Sequence, residues 1–474
     1  MSETALWAAL RLPDLPLQLF LRGSNLCGPA VAQESGNPPR VVSCNEAAAQ
    51  LGIRPGMTVS AARALTPHLH ARARDVAKEA RALAGIAAWA MQFSPAVSLA
   101  SVNEVLVEIG GCLRLFGGSR ALAGRIRAGL AGLGYPGVVA LAPTPTAALL
   151  LARHGVDTSL CDRRGIRRAL APLSPALLGQ PPQVVALLAA TGVKTFRDWW
   201  ALPRDGLARR FGQGMLDEID RALGLLPDPR EPFTPPRRYS TSIELPAPVL
   251  ETEPLLFAAK RLVTELSGYL ATRQIGVTRL RLELAHAHRP TTPVTVSLSA
   301  ASRDATHLMT LLREKLGTVT LPEGAESLTL VAAEVCPLGP RNRVLFADGR
   351  PSRGERWRIV EHLRARLGVQ AVHGLETFPD HRPERAYRRM LPGHAKDGSC
   401  DLQRPLWLLP QPYRLCARDV PELLDGPERV ETGWWDDFDV KRDYFIARDG
   451  AGSKLWLYRE RPDGRDWFVH GIFA

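Results

Sequence analysis

A chain of 474 residues is too long for one hydrophobic core, and a hydrophobic fraction of 45% excludes a disordered or fibrous polymer. The formal charge of +12 is carried mostly by arginine, whose guanidinium forks suit phosphate, so nucleic acid is the expected partner class. The seven cysteines are scattered without a Cys-x-x-Cys pair, and no apolar run reaches a membrane span of about 18 residues. Together with a start that has no basic leader, these features lead us to expect a cytoplasmic, nucleoid-associated protein with free thiols, no membrane partner, no bound metal and no cofactor.

The elements run as follows. Residues 5–12 read as a buried strand stopped by Pro13. A second strand at 40–43 leads into a helix at 46–51, with Gly52 as its terminator, and another helix follows at 57–65, ahead of Pro67. An Ala-rich amphipathic helix spans 77–91. Segments 105–109 and 113–116, separated by Gly110-Gly111, predict a hairpin. A helix at 121–133, a strand at 138–142 and a helix at 146–154 complete an α+β pattern over the first 160 or so residues, with 21–67 inserted as a subdomain.

Residues 183–224 change character to short helices punctuated by Gly192, Gly206 and Gly212, and residues 227–236 hold five prolines and read as a linker. A helix at 253–272, strands at 278–285 and 294–299, a helix at 304–316 and a strand at 327–335 form a module of about 100 residues. Residues 337–354 are again linker-like, and the tail from 355 to 474 is β-rich and crowded with aromatics. His286 and His288, and His68 and His70, find no third ligand at useful spacing and read as surface histidines.

The segment Ser94-Pro95-Ala96-Val97-Ser98-Leu99-Ala100-Ser101-Val102-Asn103-Glu104 is the most informative stretch. It resembles the palm motif of the Y-family (translesion) DNA polymerases, in which an Asp-Glu pair follows a Ser-Pro segment. That resemblance implies palm at 1–20 and 68–165, fingers at 21–67, a helix–hairpin–helix thumb at 166–232 and a little finger at 237–335. Residues 337–354 would be a linker with a degenerate clamp-binding motif, and 355–474 a protein-interaction region. The family binds two metal ions through palm carboxylates to activate the primer hydroxyl. In register, Arg11 and Asn103 replace two metal-binding aspartates beside the surviving Glu104, and Pro16 replaces the steric-gate aromatic. Asn45 and Ala48 replace the triphosphate-binding Tyr and Arg, and Pro145 replaces the phosphate-contacting Lys.

Glu104 and Glu108 read as leftovers on a partly solvated strand face. The losses, with tail segments such as Glu431-Thr432-Gly433-Trp434-Trp435, resemble a non-catalytic branch of the family found in a bacterial damage-inducible mutagenesis cassette. The implied role is an adaptor that binds primer–template DNA, the sliding clamp, a RecA-like accessory protein of the ImuA type and an error-prone C-family polymerase. Gly192, Lys194, Arg209, Arg210, Gly212, Arg273, Arg279 and Arg281 are the expected DNA contacts, and Asn342, Leu345 and Phe346 the expected clamp contacts. The alternative is a low-efficiency polymerase using Asp14, Glu104 and Glu108.

Overall fold

The computed structural model describes residues 5–23, 28–155, 157–338, 353–392, 404–405, 407–416, 418–462 and 464–473. They divide into two compact units, Met1–Arg366 and Leu367–Ala474. Asn342, Leu345 and Phe346 lie outside the described residues.

The first sheet has the strand order Val97–Ser101, Glu104–Glu108, Trp7–Arg11, Val138–Ala142, antiparallel throughout. Its central strands are apolar on both faces because both are covered. Helices Val76–Ala90 and Ser119–Leu133 pack on one face through Leu83, Ile86, Leu122 and Ile126. Helix Pro145–His154 covers the other through Ala147, Leu150 and Leu151, and beyond it sit the short helices between Ile166 and Leu223.

The expected hairpin at 105–109/113–116 is not formed. The observed hairpin joins Val97–Ser101 to Glu104–Glu108 across the turn at Val102-Asn103, and Leu113–Phe116 is helical. The reason lies in Glu108, whose Oε1 accepts the Gly110 N–H at 2.9 Å and starts a 3-10 turn where a second strand would begin. The segment after Pro13 is likewise more than a turn, because Leu15–Leu21 forms a helix with Pro16 in its first turn.

Residues 30–73 build a small sheet of Arg40–Cys44, Ala30–Glu34 and His70–Ala73, the last pair parallel. The second large sheet has the order Thr292–Ser302, Ile275–His286, Ala325–Pro337, Ser240–Val249, with helices Thr252–Thr272 and Ala305–Leu316 against one face. Helix Thr252–Thr272 also packs on the helices of the first sheet. A Cβ at Gly268 would stand 2.5 Å from the Trp89 ring and one at Gly129 2.3 Å from it, so glycine is required on both sides of that indole. Beside it the buried pair Arg22–Glu265, at 3.2 Å, crosses the same joint.

The tail was expected to start at residue 355. Helix Arg353–Leu367 instead packs on the second sheet's module: buried Glu361 accepts the Ser299 N–H at 2.5 Å and meets His307 Nε2 at 2.7 Å.

The second unit carries a five-stranded antiparallel sheet in the order Trp407–Leu415, Trp467–Ile472, Lys454–Glu460, Val440–Arg448, Glu422–Thr432. Its core stacks Tyr444 on Trp456 at 4.0 Å and places the Tyr444 hydroxyl 2.8 Å from His470 Nδ1. Burial, reinforced by Arg442 and opposed by Glu384, lowers the His470 pKa to about 4. A folded-state pKa below the unfolded value of 6.5 means the unfolded chain takes up the proton first. The stabilisation is therefore complete above about pH 6.5 and is lost as pH falls towards 4. Urea denaturation of this unit, monitored by tryptophan fluorescence, is expected to show that loss of midpoint between pH 6.5 and 4, and His470→Gln is expected to flatten it.

Candidate functional site

At the open end of the first sheet, Arg11 and Glu104 are direct cross-strand partners. Glu104 is buried, which corrects its assignment to a solvated face. A buried carboxylate needs compensation, and here three side chains supply it. Arg153 donates Nε to Oε1 at 2.7 Å and Nη2 to Oε2 at 2.6 Å, a bidentate fork, while the Ser101 hydroxyl donates to Oε2 at 2.9 Å. Arg11 Nε lies 3.9 Å from Oε1. Hydrogen bonding to Glu104, ahead of its charge, raises the Arg153 pKa further.

Local structure explains the convergence. Arg153 lies in the last turn of the Pro145–His154 helix, which Gly155 ends in the left-handed conformation at φ +88°. Arg11 Nη1 caps that end by donating to the Arg153 carbonyl at 3.0 Å. The third Arg153 nitrogen, Nη1, donates to the Leu177 carbonyl at 2.9 Å and so ties the following helical module to the sheet.

This donor set does not fit a divalent cation. Mg²⁺ requires anionic or neutral oxygens at about 2.0–2.1 Å in octahedral array. Here the one buried carboxylate is engaged by a guanidinium fork, with a second guanidinium next to it. Asn103 sits in the turn, its Oδ1 3.2 Å from the Ser101 hydroxyl whose one proton goes to Glu104. The three acids of the alternative reading do not converge. Glu108 pairs with Trp7, four residues along the strand from Glu104, or roughly 13 Å at about 3.3 Å per residue. Its Oε1 serves the Leu6 and Gly110 amides. Asp14 precedes the Leu15–Leu21 helix, with its pKa raised by burial and opposed by Arg11.

The other degenerate positions have structural duties. Asn45 caps helix Glu46–Gln50, its Oδ1 accepting from Ala48 at 3.0 Å and from Ala30 at 2.9 Å. Ala48 is fully buried in the small subdomain's core. Pro145 removes one N–H from the start of its helix, and the Thr146 amide and hydroxyl donate to Asp228 at 3.0 and 2.8 Å, so a carboxylate of the chain itself occupies that helix start.

Of the residues expected to contact DNA, Lys194, Arg209 and Arg210 are exposed around the turns at Gly192 and Gly212, whose φ values are +78° and +87°. At the first turn the Gly192 N–H bonds to the Ala189 carbonyl, and the Lys194 and Thr195 amides bond to Asp198, which leaves the Lys194 ammonium as the free donor. Arg273 stacks on Tyr269 and holds the carbonyls of Pro236 and Arg237. Arg279 and Arg281 share the exposed sheet face but pair with Glu334 and Glu283, both at 2.9 Å.

Two features escaped the sequence reading. Arg153 was not singled out, although one arginine in a helix buried against a sheet signals a buried partner. The second is an uncompensated arginine group around Trp200.

Residues 26–153 match the impB/mucB/samB family. The chain is 29% identical to Protein ImuB of Caulobacter vibrioides strains NA1000 / CB15N and ATCC 19089 / CIP 103742 / CB 15, over 90% of this chain and 100% of each relative. Among solved structures it is similar to DinB from Sulfolobus solfataricus, with a TM-score of 0.41, 16% identity and coverage of 69% of this chain and 98% of that one. An insertion ternary complex of Dbh DNA polymerase gives a TM-score of 0.42 at 16% identity, over 69% of this chain and 98% of that one. The fold is α+β, with a β-rich unit after it.

The Glu104–Arg153 pair makes a quantitative expectation. Arg153→Ala leaves a buried carboxylate unpaired and should cost about 3 kcal/mol or more, whereas Glu104→Leu with Arg153→Leu removes both charges and should cost clearly less. Chemical denaturation of the single and double variants checks this, and an additive result contradicts it.

Proposed function

We propose that this protein is a non-catalytic adaptor in SOS-induced translesion synthesis and mutagenesis, acting on damaged DNA. Residues 1–20 and 68–165 serve as a palm, 21–67 as fingers, 166–232 as a thumb and 237–335 as a little finger, together holding primer–template DNA in the cytoplasm at the nucleoid. The observation that carries this reading is the occupation of Glu104 by Arg153, with Arg11 and Asn103 at the neighbouring palm positions. A palm arranged in this way can position DNA but has no means of holding the metals that drive nucleotide addition.

Recruitment is assigned to the C-terminal part. Asn342, Leu345 and Phe346 are proposed to engage the sliding clamp. The tail from residue 367 is proposed to engage an ImuA-type RecA-like protein and an error-prone C-family polymerase. Support comes from Trp434, Trp435 and Phe438, which are exposed at 80%, 59% and 63% on the turn between Glu422–Thr432 and Val440–Arg448. Large aromatics at such exposure are effective interface anchors. Asp436 fixes the base of that turn by binding Arg382 and Arg385 at 2.8 and 2.7 Å.

Primer extension tests the reading. Purified protein on a primed template with Mg²⁺ or Mn²⁺ is expected to bind the DNA and add no nucleotide. Template-directed incorporation would overturn it.

A further inference from the structure

We propose that the concavity between helices Ile166–Leu170 and Phe196–Trp200 is a phosphate site for the nucleic-acid backbone, built from Arg167, Arg168, Arg197 and Trp200. The inference rests on the DNA-binding part of the function proposed above and adds a contact surface to it.

The concavity has a volume of about 410 Å³ and is lined by the three arginines, Trp200 and two alanines. Some arginines of this chain are held by carboxylates, as Arg153, Arg204 and Arg230 are. Among the described residues no carboxylate lies within ion-pair distance of Arg167, Arg168 or Arg197. Four of the five acids of the same module make other contacts. Asp198 binds Thr195 and the Lys194 amide, Asp220 binds Arg204, Glu218 accepts from Gln180 and Asp217 from Gln213. Three like charges face one opening, and the Asp198 carboxylate, which the Arg197 charge acts on, offsets them only in part.

The opening is rigid and has an unused donor. The Phe196 and Arg197 amides donate to the Leu173 and Ala171 carbonyls at 2.9 and 3.0 Å, locking the two helices together. Trp200 stacks on Phe196 with ring centroids 5.9 Å apart, and the Arg167 guanidinium lies 5.0 Å from the Trp200 ring. The Trp200 indole N–H is buried and has no acceptor, an arrangement that folded proteins rarely leave unanswered. Backbone phosphates accept forked guanidinium bonds, so a run of them answers the three arginines. A polymer of phosphates fits better than an acidic protein, because Lys194 lies three residues from Arg197 at the expected DNA-binding turn, and Arg163 and Arg164, which form no ion pair among the described residues, precede Arg167.

The test measures oligonucleotide binding by full-length protein over a range of NaCl concentrations, using fluorescence anisotropy. Arg167→Gln/Arg168→Gln/Arg197→Gln is expected to lose at least tenfold in affinity at about 0.1 M salt. Its log–log salt slope should become shallower by about 2, the loss of three phosphate contacts. Trp200→Phe keeps the ring and removes an N–H that solvent does not reach, and should leave the affinity unchanged. Circular dichroism is expected to be unchanged in both.

An unaltered affinity and slope in the triple variant, with Lys194→Ala still weakening binding, overturns this site and leaves the DNA-binding reading standing. Absence of DNA binding by the wild-type chain overturns both. Calorimetric titration with inorganic pyrophosphate separates the sources of phosphate: tight pyrophosphate binding lost in the triple variant, with oligonucleotide affinity unchanged, reassigns the site to a small anion. Polyglutamate competing as well as an oligonucleotide of equal charge reassigns it to an acidic protein, and either reassignment overturns the proposal.

Discussion

One guanidinium holds the first unit's site together. Arg153 places a bidentate fork on the buried Glu104 carboxylate and its remaining nitrogen on the Leu177 carbonyl. The first contact neutralises a charge that the sheet could not otherwise bury, and the second links the sheet to the helical module that follows. Arg11 completes the chain by capping the helix that carries Arg153. The arginine that faces Glu104 across the strands also closes that helix end, so charge compensation and the rigidity of the scaffold rest on the same residues.

Arginine takes two roles in this molecule, and the difference is physical. Where it meets a carboxylate, as at Arg153, Arg22 and Arg382, it stabilises the fold and is unavailable to ligands. Where no carboxylate lies within ion-pair distance, as at Arg167, Arg168 and Arg197 among the described residues, its charge is not consumed by an internal ion pair. A net charge of +12 does not distinguish these roles, and the pairing pattern does. Arg279 and Arg281 illustrate the point: they share an exposed sheet face as the alternation predicted, yet each has an acid within 2.9 Å.

Much of the fold was legible because hydrophobic periodicity and glycine or proline punctuation are local signals. The strand at Val138–Ala142 and the helix ending at Thr272 fall where the pattern places them. The misread hairpin shows the limit: Gly110-Gly111 has the composition of a turn between strands, and only the Glu108 side chain, folded back on the Gly110 amide, decides for a helix. The sequence singled out Arg11, Asn103, Asn45, Ala48 and Pro145, but the contacts those residues make were not legible in it. The contact between Arg153 and Glu104 joins residues 49 positions apart, and the Trp200 concavity depends on where Asp198 and Asp220 turn their carboxylates. Both are tertiary facts without a sequence signature.

The central claim is that the position of a polymerase metal is filled by the protein's own cation. Anomalous diffraction from crystals soaked in Mn²⁺ tests it most directly. The account predicts no manganese peak within coordination distance, about 2.2 Å, of the Glu104 carboxylate oxygens, and density for the Arg153 fork in its place. A manganese ion bound to Glu104 with Arg153 displaced would contradict it.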